Sequence, residues 1–184
     1  FEHSHNYPYR VKEKFNDYPS AKFIHMMREP KSNIYSYFTL YKANNILTAD
    51  NWLKIYNSLF CAIKDIKENT KNKNYLVLKL ENLHTNPKET MINVAKFLNI
   101  TFSDKLLEST LNGISYNSSS PNNKNHSSFS VKILEPKYKE FFNNKDIIFF
   151  ETLLNELYVL CDYKKDFSTS MEFDELVKYM SNIE

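Results

Sequence analysis

Apolar positions along the chain change period several times, and each change marks an element. Lys22 to Met27 (KFIHMM) is a short apolar run after Tyr18-Pro19, which predicts a buried strand. Pro30 then offers a first helical position, and Asn33 to Lys42 supplies an aromatic stripe of Tyr35, Phe38 and Tyr41 at helical spacing. From Thr48 to Asn69, Trp52, Ile55, Leu59, Ile63 and Ile66 recur with helical periodicity and predict a long amphipathic helix. Tyr75 to Leu80 (YLVLKL) reads as a second strand. Asn86-Pro87-Lys88-Glu89 predicts a helix start, with Asn as cap, Pro at N1 and Glu at N3, and the helix runs to about Leu98. Asp104 to Asn112 reads as another helix, closed by Gly113 at a C-cap with φ > 0. Asp146 to Cys161 is strongly apolar and helical, and Phe173 to Met180 forms a final helix. Strands separated by helices predict an α/β fold, a parallel sheet with helices on its faces. Two strands do not make a stable sheet alone. Either part of the domain is missing from this chain or weaker strands escape the pattern.

Composition narrows the function classes. The 184 residues suit one domain, residues 1–184, with a sizeable core. There is a single glycine, Gly113, where average usage would give roughly thirteen. Neither a G-x-x-x-x-G-K-[ST] loop nor a G-x-G-x-x-G turn can lie inside the chain. The charge balance of 24 Lys and Arg against 22 Asp and Glu leaves +2, too even for a general nucleic-acid binder. Only Arg10 and Arg28 are arginine, so each marks a place where a planar fork replaced the default lysine. Cys61 and Cys161 sit in apolar, helix-like runs, which argues against a disulfide framework or a cysteine zinc site. No apolar run is long enough for a membrane span, and no signal segment is present. A cytoplasmic location is expected. The polar stretch Ser115 to Ser128 (SYNSSSPNNKNHSS) has little to bury and is expected as a surface loop or lid.

Two places carry candidate chemistry. Arg28 lies just past the first strand's carboxyl end, where open α/β sheets bind ligands, and Ser36 follows about two turns into the next helix. A guanidinium with a hydroxyl suits a phosphate monoester; a surface arginine paired with Glu29 beside an ordinary helical serine fits the same residues. His3-Ser4-His5 puts two imidazoles on one face of an extended segment. They could hold a metal or supply a general base, and surface histidines read equally well. His25, His84 and His126 add no metal-ligand spacing, so no metal is expected.

The order of these segments carries a family resemblance. A-K-F-I-H-M-M-R-E-P-K-S-N-I-Y-S-Y-F closely resembles the 3′-phosphate signature of the sulfotransferases, a strand ending in R-[DEN]-P before a helix carrying Ser. K-L-E-N-L at 79–83 resembles that family's Tyr-Glu-Asp-Leu element, and N-P-K-E-T-M-I-N-V-A-K-F-L-N-I the helix after it. H-S-H at 3–5 resembles the K-[ST]-H motif of the cytosolic and bacterial branch. The likeness is strong over residues 1–100 and weak beyond.

The resemblance implies a three-layer, P-loop-like α/β fold whose N-terminal part, with the 5′-phosphosulfate loop, lies upstream of Phe1. It implies sulfuryl transfer from 3′-phosphoadenosine 5′-phosphosulfate to a hydroxyl or amine of a small-molecule, lipid or carbohydrate acceptor, without metal. Arg28 and Ser36 would hold the 3′-phosphate and His5 would be the base. Departures stand beside these roles: His3 replaces the family's lysine, Leu80 its tyrosine, and the late glycine loop has no clear match. Ser130 to Phe142 is the nearest stretch, with Lys132 a candidate for the 3′-phosphate and Tyr138 in place of a tryptophan. A non-catalytic, sulfotransferase-like binding or scaffold domain is the alternative. A kinase-like transferase would need a Walker-B-like Asp at a strand end, and neither predicted strand ends in one.

Overall fold

The computed structural model describes residues 11–43, 49–108, 110–111, 114–115 and 129–181. His3, His5, Gly113 and the 116–128 stretch therefore lie outside the described residues, as do the side chains of Tyr41 and Trp52. Strands and helices alternate as expected for an α/β protein: α1 (Val11–Asp17), β1 (Phe23–Met27), α2 (Pro30–Ala43), α3 (Ala49–Asn69), β2 (Tyr75–Lys79), α4 (Leu80–Thr85) and α5 (Pro87–Leu98). After a 3₁₀ turn at Asp104–Leu107 come β3 (Thr110–Leu111) and β4 (Ile114–Ser115). A second 3₁₀ turn at Val131–Leu134 precedes α6 (Tyr138–Phe141), α7 (Asn144–Leu153), α8 (Asn155–Leu160) and α9 (Phe173–Ser181). β1 and β2 pair in a parallel sheet. The chain divides into two compact units, one of residues 1–21, 28–75 and 136–184, the other of residues 22–27 and 76–135.

The first unit is held by apolar helix faces. Ile55, Leu59, Ile63 and Ile66 of α3 are all buried, as their spacing predicts. Ile34 and Phe38 of α2 are buried too. An aromatic chain runs on from there. Phe38 meets Phe142 edge-on at 6.1 Å, Phe142 meets Phe150 at 4.9 Å, and Phe149 meets Tyr179 of α9 at 4.8 Å. Such edge and tilted contacts add to plain area burial. The stripe on α2 is thus partly core: Tyr35, half-buried, packs edge-on against Phe141 at 5.6 Å. Asp65, buried on α3, accepts the backbone N–H of Val11 and so anchors the start of α1.

Several expectations need correction. β1 is not buried on both faces: Met27 is 3% exposed, but Ile24 and Met26 on the opposite face are 38% and 46% exposed. β2 ends at Lys79, and Leu80 opens the short helix α4, which the apolar run concealed. Asn86 occupies the cap position of α5, but its side chain caps nothing. Its backbone does the work, donating to Asn82 O at 2.9 Å and accepting from Thr90 N at 3.0 Å, while Thr90 Oγ1 donates to Asn82 O at 3.0 Å. The expected helix from Asp104 to Asn112 is one 3₁₀ turn followed by a hairpin in which Leu111 pairs with Ile114. Glu108 is already extended, at φ −103° and ψ 132°. Asn112-Gly113, the connection, is the strongest short sequence signal for a hairpin. The run from Asp146 to Cys161 is two helices, broken at Leu154 (φ −103°, ψ 18°). Thr152 Oγ1 bonds back to Ile148 O at 2.7 Å and also accepts Met171 N at 3.0 Å. Back-bonding of this kind bends helices.

Burial on β1 has a pH consequence. His25 is held from its usual 6.5 down to about 4 because desolvation disfavours the imidazolium. Between those values the unfolded chain binds a proton that the folded chain refuses. The stability His25 contributes is therefore complete above pH 6.5 and is lost as pH falls toward 4. His25→Phe is expected to flatten the fall in unfolding free energy between pH 7 and 4 by roughly 3 kcal/mol. Denaturant titrations across that range check this, and an unchanged pH dependence would refute burial of the neutral ring.

Candidate anion site at the start of helix α2

Three residues after β1 determine how α2 begins. Pro30 sits at the first helical position, where a missing N–H costs nothing and the fixed φ suits the helix. Glu29 precedes it as the cap: its Oε2 accepts Ser32 N–H at 2.7 Å and its carbonyl accepts Asn33 N–H at 2.9 Å. A carboxylate there also suits the positive end of the helix dipole. Arg28 stands one residue earlier. Its Nη1 donates to Ser36 Oγ at 2.7 Å across an eight-residue separation. The sequence-predicted pair is thus brought together, with the guanidinium beside the second turn of α2. A hydroxyl that accepts from a guanidinium still has its own proton to donate, and the fork has further N–H groups. A guanidinium and a hydroxyl brought together in this way are the donor types that bind an oxyanion.

The same stretch of chain carries a charged cluster, centred on Lys31, that the sequence did not announce. Lys31 is 1% exposed and Glu151 of α7 is 0% exposed, and the two form a short ion pair. Lys31 Nζ is also 3.2 Å from Asp166 Oδ2 and 3.5 Å from Glu29 Oε1. Its ammonium lies 5.1 Å and 5.3 Å from the ring centres of Tyr138 and Tyr158. Glu151 further accepts the backbone N–H of Asp166 at 2.6 Å and of Phe167 at 3.1 Å. Tyr138 OH donates to Asp166 Oδ2 at 2.8 Å, Lys139 pairs with Asp166 Oδ1 at 3.0 Å, and Tyr158 OH donates to Glu29 Oε1 at 3.0 Å.

These contacts set the charge states. Burial pushes Lys31 toward the neutral amine, but the bond to Glu151 and the fields of Glu29, Glu151 and Asp166 outweigh it, so its pKa is raised. Burial also pushes Asp166 up, and its bonds from Lys139, Tyr138 and Lys31 reverse that, leaving its pKa lowered. Desolvation first, then the Glu29 carboxylate, drives the Tyr158 hydroxyl upward and keeps it a donor. Tyr138, set beside a family tryptophan by sequence, is here 5% exposed with its ring against Lys31. The signal that could have exposed the cluster is Glu151 itself, a carboxylate within the apolar run IIFFETLL.

Lys132 belongs to the second unit, exposed in the 3₁₀ turn Val131–Leu134, where its backbone N–H donates to Ser130 Oγ at 3.3 Å. In the same unit Ser130 N–H donates to His84 Nδ1 at 3.0 Å, and Phe129 packs edge-on against that imidazole at 5.9 Å. Leu80, at the tyrosine position of the family element, is half-buried. Among the described residues no three His, Cys, Asp or Glu side chains cluster as metal ligands, and no helix is long and apolar enough to cross a membrane.

The chain belongs to the sulfotransferase domain family, whose model matches residues 1–157. A solved sulfotransferase domain from the curacin biosynthetic pathway is similar at 14% identity and a TM-score of 0.42; the match covers 87% of this chain and 53% of that one. The chain thus spans about half the length of that neighbour. No curated protein matches it.

The buried pair yields a stability prediction. Lys31→Met leaves Glu151 charged and buried beside a methyl group and is expected to cost about 3–5 kcal/mol. Adding Glu151→Gln removes that charge but keeps an acceptor oxygen for only one of the two backbone N–H groups, so part of the loss should return. Urea unfolding of both variants checks this; equal stability of Lys31→Met and the parent would refute the pair as drawn.

Proposed function

We propose that this chain carries the 3′-phosphate-binding part of a sulfotransferase that uses 3′-phosphoadenosine 5′-phosphosulfate as donor. The acceptor is a hydroxyl or amine of a small-molecule, lipid or carbohydrate substrate. Family membership supports sulfuryl transfer in general. The observation that carries the donor is the Arg28–Ser36 contact, a guanidinium and a hydroxyl 2.7 Å apart at the end of a strand and the start of a helix. Both residues match the family's 3′-phosphate signature in sequence. A dianionic monoester matches them: the fork supplies charge and two parallel donors, and the hydroxyl supplies a third. The single family match runs through residues of both units, which supports treating them as one domain.

In this reading His5 takes the acceptor's proton as the oxygen or nitrogen attacks sulfur, and the sulfur–oxygen bond to the donor's 5′-phosphate breaks, releasing adenosine 3′,5′-bisphosphate. His3, in protonated form, partly replaces the family's lysine beside the transferring group. Lys132 is carried as a further 3′-phosphate candidate on sequence likeness alone. Sulfuryl transfer resembles phosphoryl transfer, so most of the rate comes from positioning and from neutralising the oxygens. An imidazole titrating near neutrality suits the base. The substitutions His3 for lysine and Leu80 for tyrosine favour a second reading, a domain that binds the nucleotide without transferring from it.

Arg28→Ala in the protein carrying this chain is expected to weaken adenosine 3′,5′-bisphosphate binding by roughly 10- to 150-fold, the range for hydrogen bonds to a charged group. Unchanged affinity by calorimetric titration would overturn the donor assignment. His5→Ala is expected to lower kcat by about 10²–10⁴-fold with donor affinity kept. Full activity in that variant would overturn the base. Tight nucleotide binding with no sulfuryl transfer by the parent would select the second reading.

A further inference from the structure

We propose that His84 is a pH-sensitive latch on the 129–134 segment: its neutral imidazole holds Ser130 against α4, and the imidazolium lets it go. The latch is independent of the donor reading above. The contact that carries it is Ser130 N–H donating to His84 Nδ1 at 3.0 Å, across 46 residues of sequence. A ring nitrogen that accepts a hydrogen bond carries no proton, so His84 is held here as the neutral ring with its proton on Nε2. Protonation puts a hydrogen on Nδ1 and turns the acceptor into a donor facing another donor. Proton and hydrogen bond exclude each other at that atom.

Both sides of the contact pass the change on. On one side α4 is pinned to α5: Asn86 N–H donates to Asn82 O at 2.9 Å, and Thr90 Oγ1 donates to the same carbonyl at 3.0 Å. On the other, Ser130 caps the 3₁₀ turn Val131–Leu134, its Oγ accepting Lys132 N–H at 3.3 Å and its carbonyl accepting Ile133 N–H at 3.4 Å. Holding that one residue therefore holds the turn. Phe129 adds an edge-on ring contact to the imidazole at 5.9 Å. His84 is half-buried, so solvent protons reach it, whereas burial keeps His25 neutral down to about pH 4. The charged neighbours are Glu81 on α4 itself, Lys88, Glu89 and Lys96 on α5, and Lys132 in the turn, with Glu135 at its end. Lys88 is paired with Asp104 at 3.7 Å. These charges set the pH at which the ring titrates, and leave unchanged what its protonation does at Nδ1.

The readout is hydrogen exchange of the Ser130 amide in the protein carrying this chain, corrected for the intrinsic effect of pH, beside NMR of the His84 ring nitrogens. Between about pH 8 and about pH 5, above the range in which His25 titrates, Ser130 exchange is expected to speed up by about 2- to 10-fold, the worth of one neutral hydrogen bond. The step should follow the titration of His84 itself, and the ring should carry its proton on Nε2 at the upper end. Amides inside α5 should hold their protection, which separates local release from loosening of the fold. His84→Phe keeps a ring for Phe129 and removes the acceptor, so fast exchange without a pH step is expected. His84→Asn offers an oxygen at about the reach of Nδ1 that does not titrate, so slow exchange at both ends of the range is expected. A Ser130 amide that ignores the titration of His84 overturns the latch. So does a proton on Nδ1 at about pH 8, or a pH step that survives in either variant. Should His84→Phe not fold, the paired titrations of Ser130 and His84 in the parent decide alone.

Discussion

One buried ammonium constrains the first unit. Desolvating Lys31 costs several kcal/mol unless opposite charge and hydrogen bonds surround it. The fold meets that cost with carboxylates from three separate places: Glu29 before α2, Glu151 inside α7 and Asp166 in the segment after α8. Glu151 in turn ties down two backbone N–H groups of that segment, and Tyr138 and Tyr158 close the cluster with their hydroxyls. Removing Lys31 or Glu151 alone leaves the other's charge buried without its main partner. The start of α2 is thereby fixed in register with the C-terminal helices.

That fixation bears on how an almost glycine-free chain would hold a phosphate. A backbone cradle needs glycine, because successive N–H groups must approach the anion without a Cβ in the way. The segment after β1 has none, and in the proposed function it would use side chains instead: Arg28 for charge and Ser36 for a further polar contact. Side chains carry more conformational freedom than a backbone loop, so their use requires a rigid base. Pro30, the Glu29 cap and the Lys31 cluster supply one. The single glycine excludes the two glycine-rich phosphate loops from this chain. In the proposed function, Arg28 and Ser36 would hold one end of a nucleotide without either loop.

Much of this was legible in the sequence, for identifiable reasons. Helices α2, α3, α5 and α9 follow from apolar spacing and from Pro30 and Pro87, because local periodicity and proline geometry decide them. The Arg28–Ser36 pair was legible because both residues lie on one strand-helix junction. What was hidden depends on partners distant in sequence. Lys31 looks like any surface lysine until Glu151, 120 residues away, is folded against it. Leu154 sits in a run with uniform apolar character, and the break comes from Thr152 bonding both Ile148 O and Met171 N. The β3–β4 hairpin was misread although Asn112-Gly113 announces it, since the glycine served equally well as a helix stop. The roles of His3 and His5 rest on sequence likeness, because both residues lie outside those described.

The central claim is that Arg28 and Ser36 form a receptor for the 3′-phosphate of the donor nucleotide. A crystal structure of the protein with adenosine 3′,5′-bisphosphate tests it most directly. The account predicts the 3′-phosphate oxygens within hydrogen-bond distance of the Arg28 guanidinium and the Ser36 hydroxyl, with Glu29 still bound to Ser32 N–H and Tyr158 OH. A nucleotide bound with its 3′-phosphate away from both residues would contradict it.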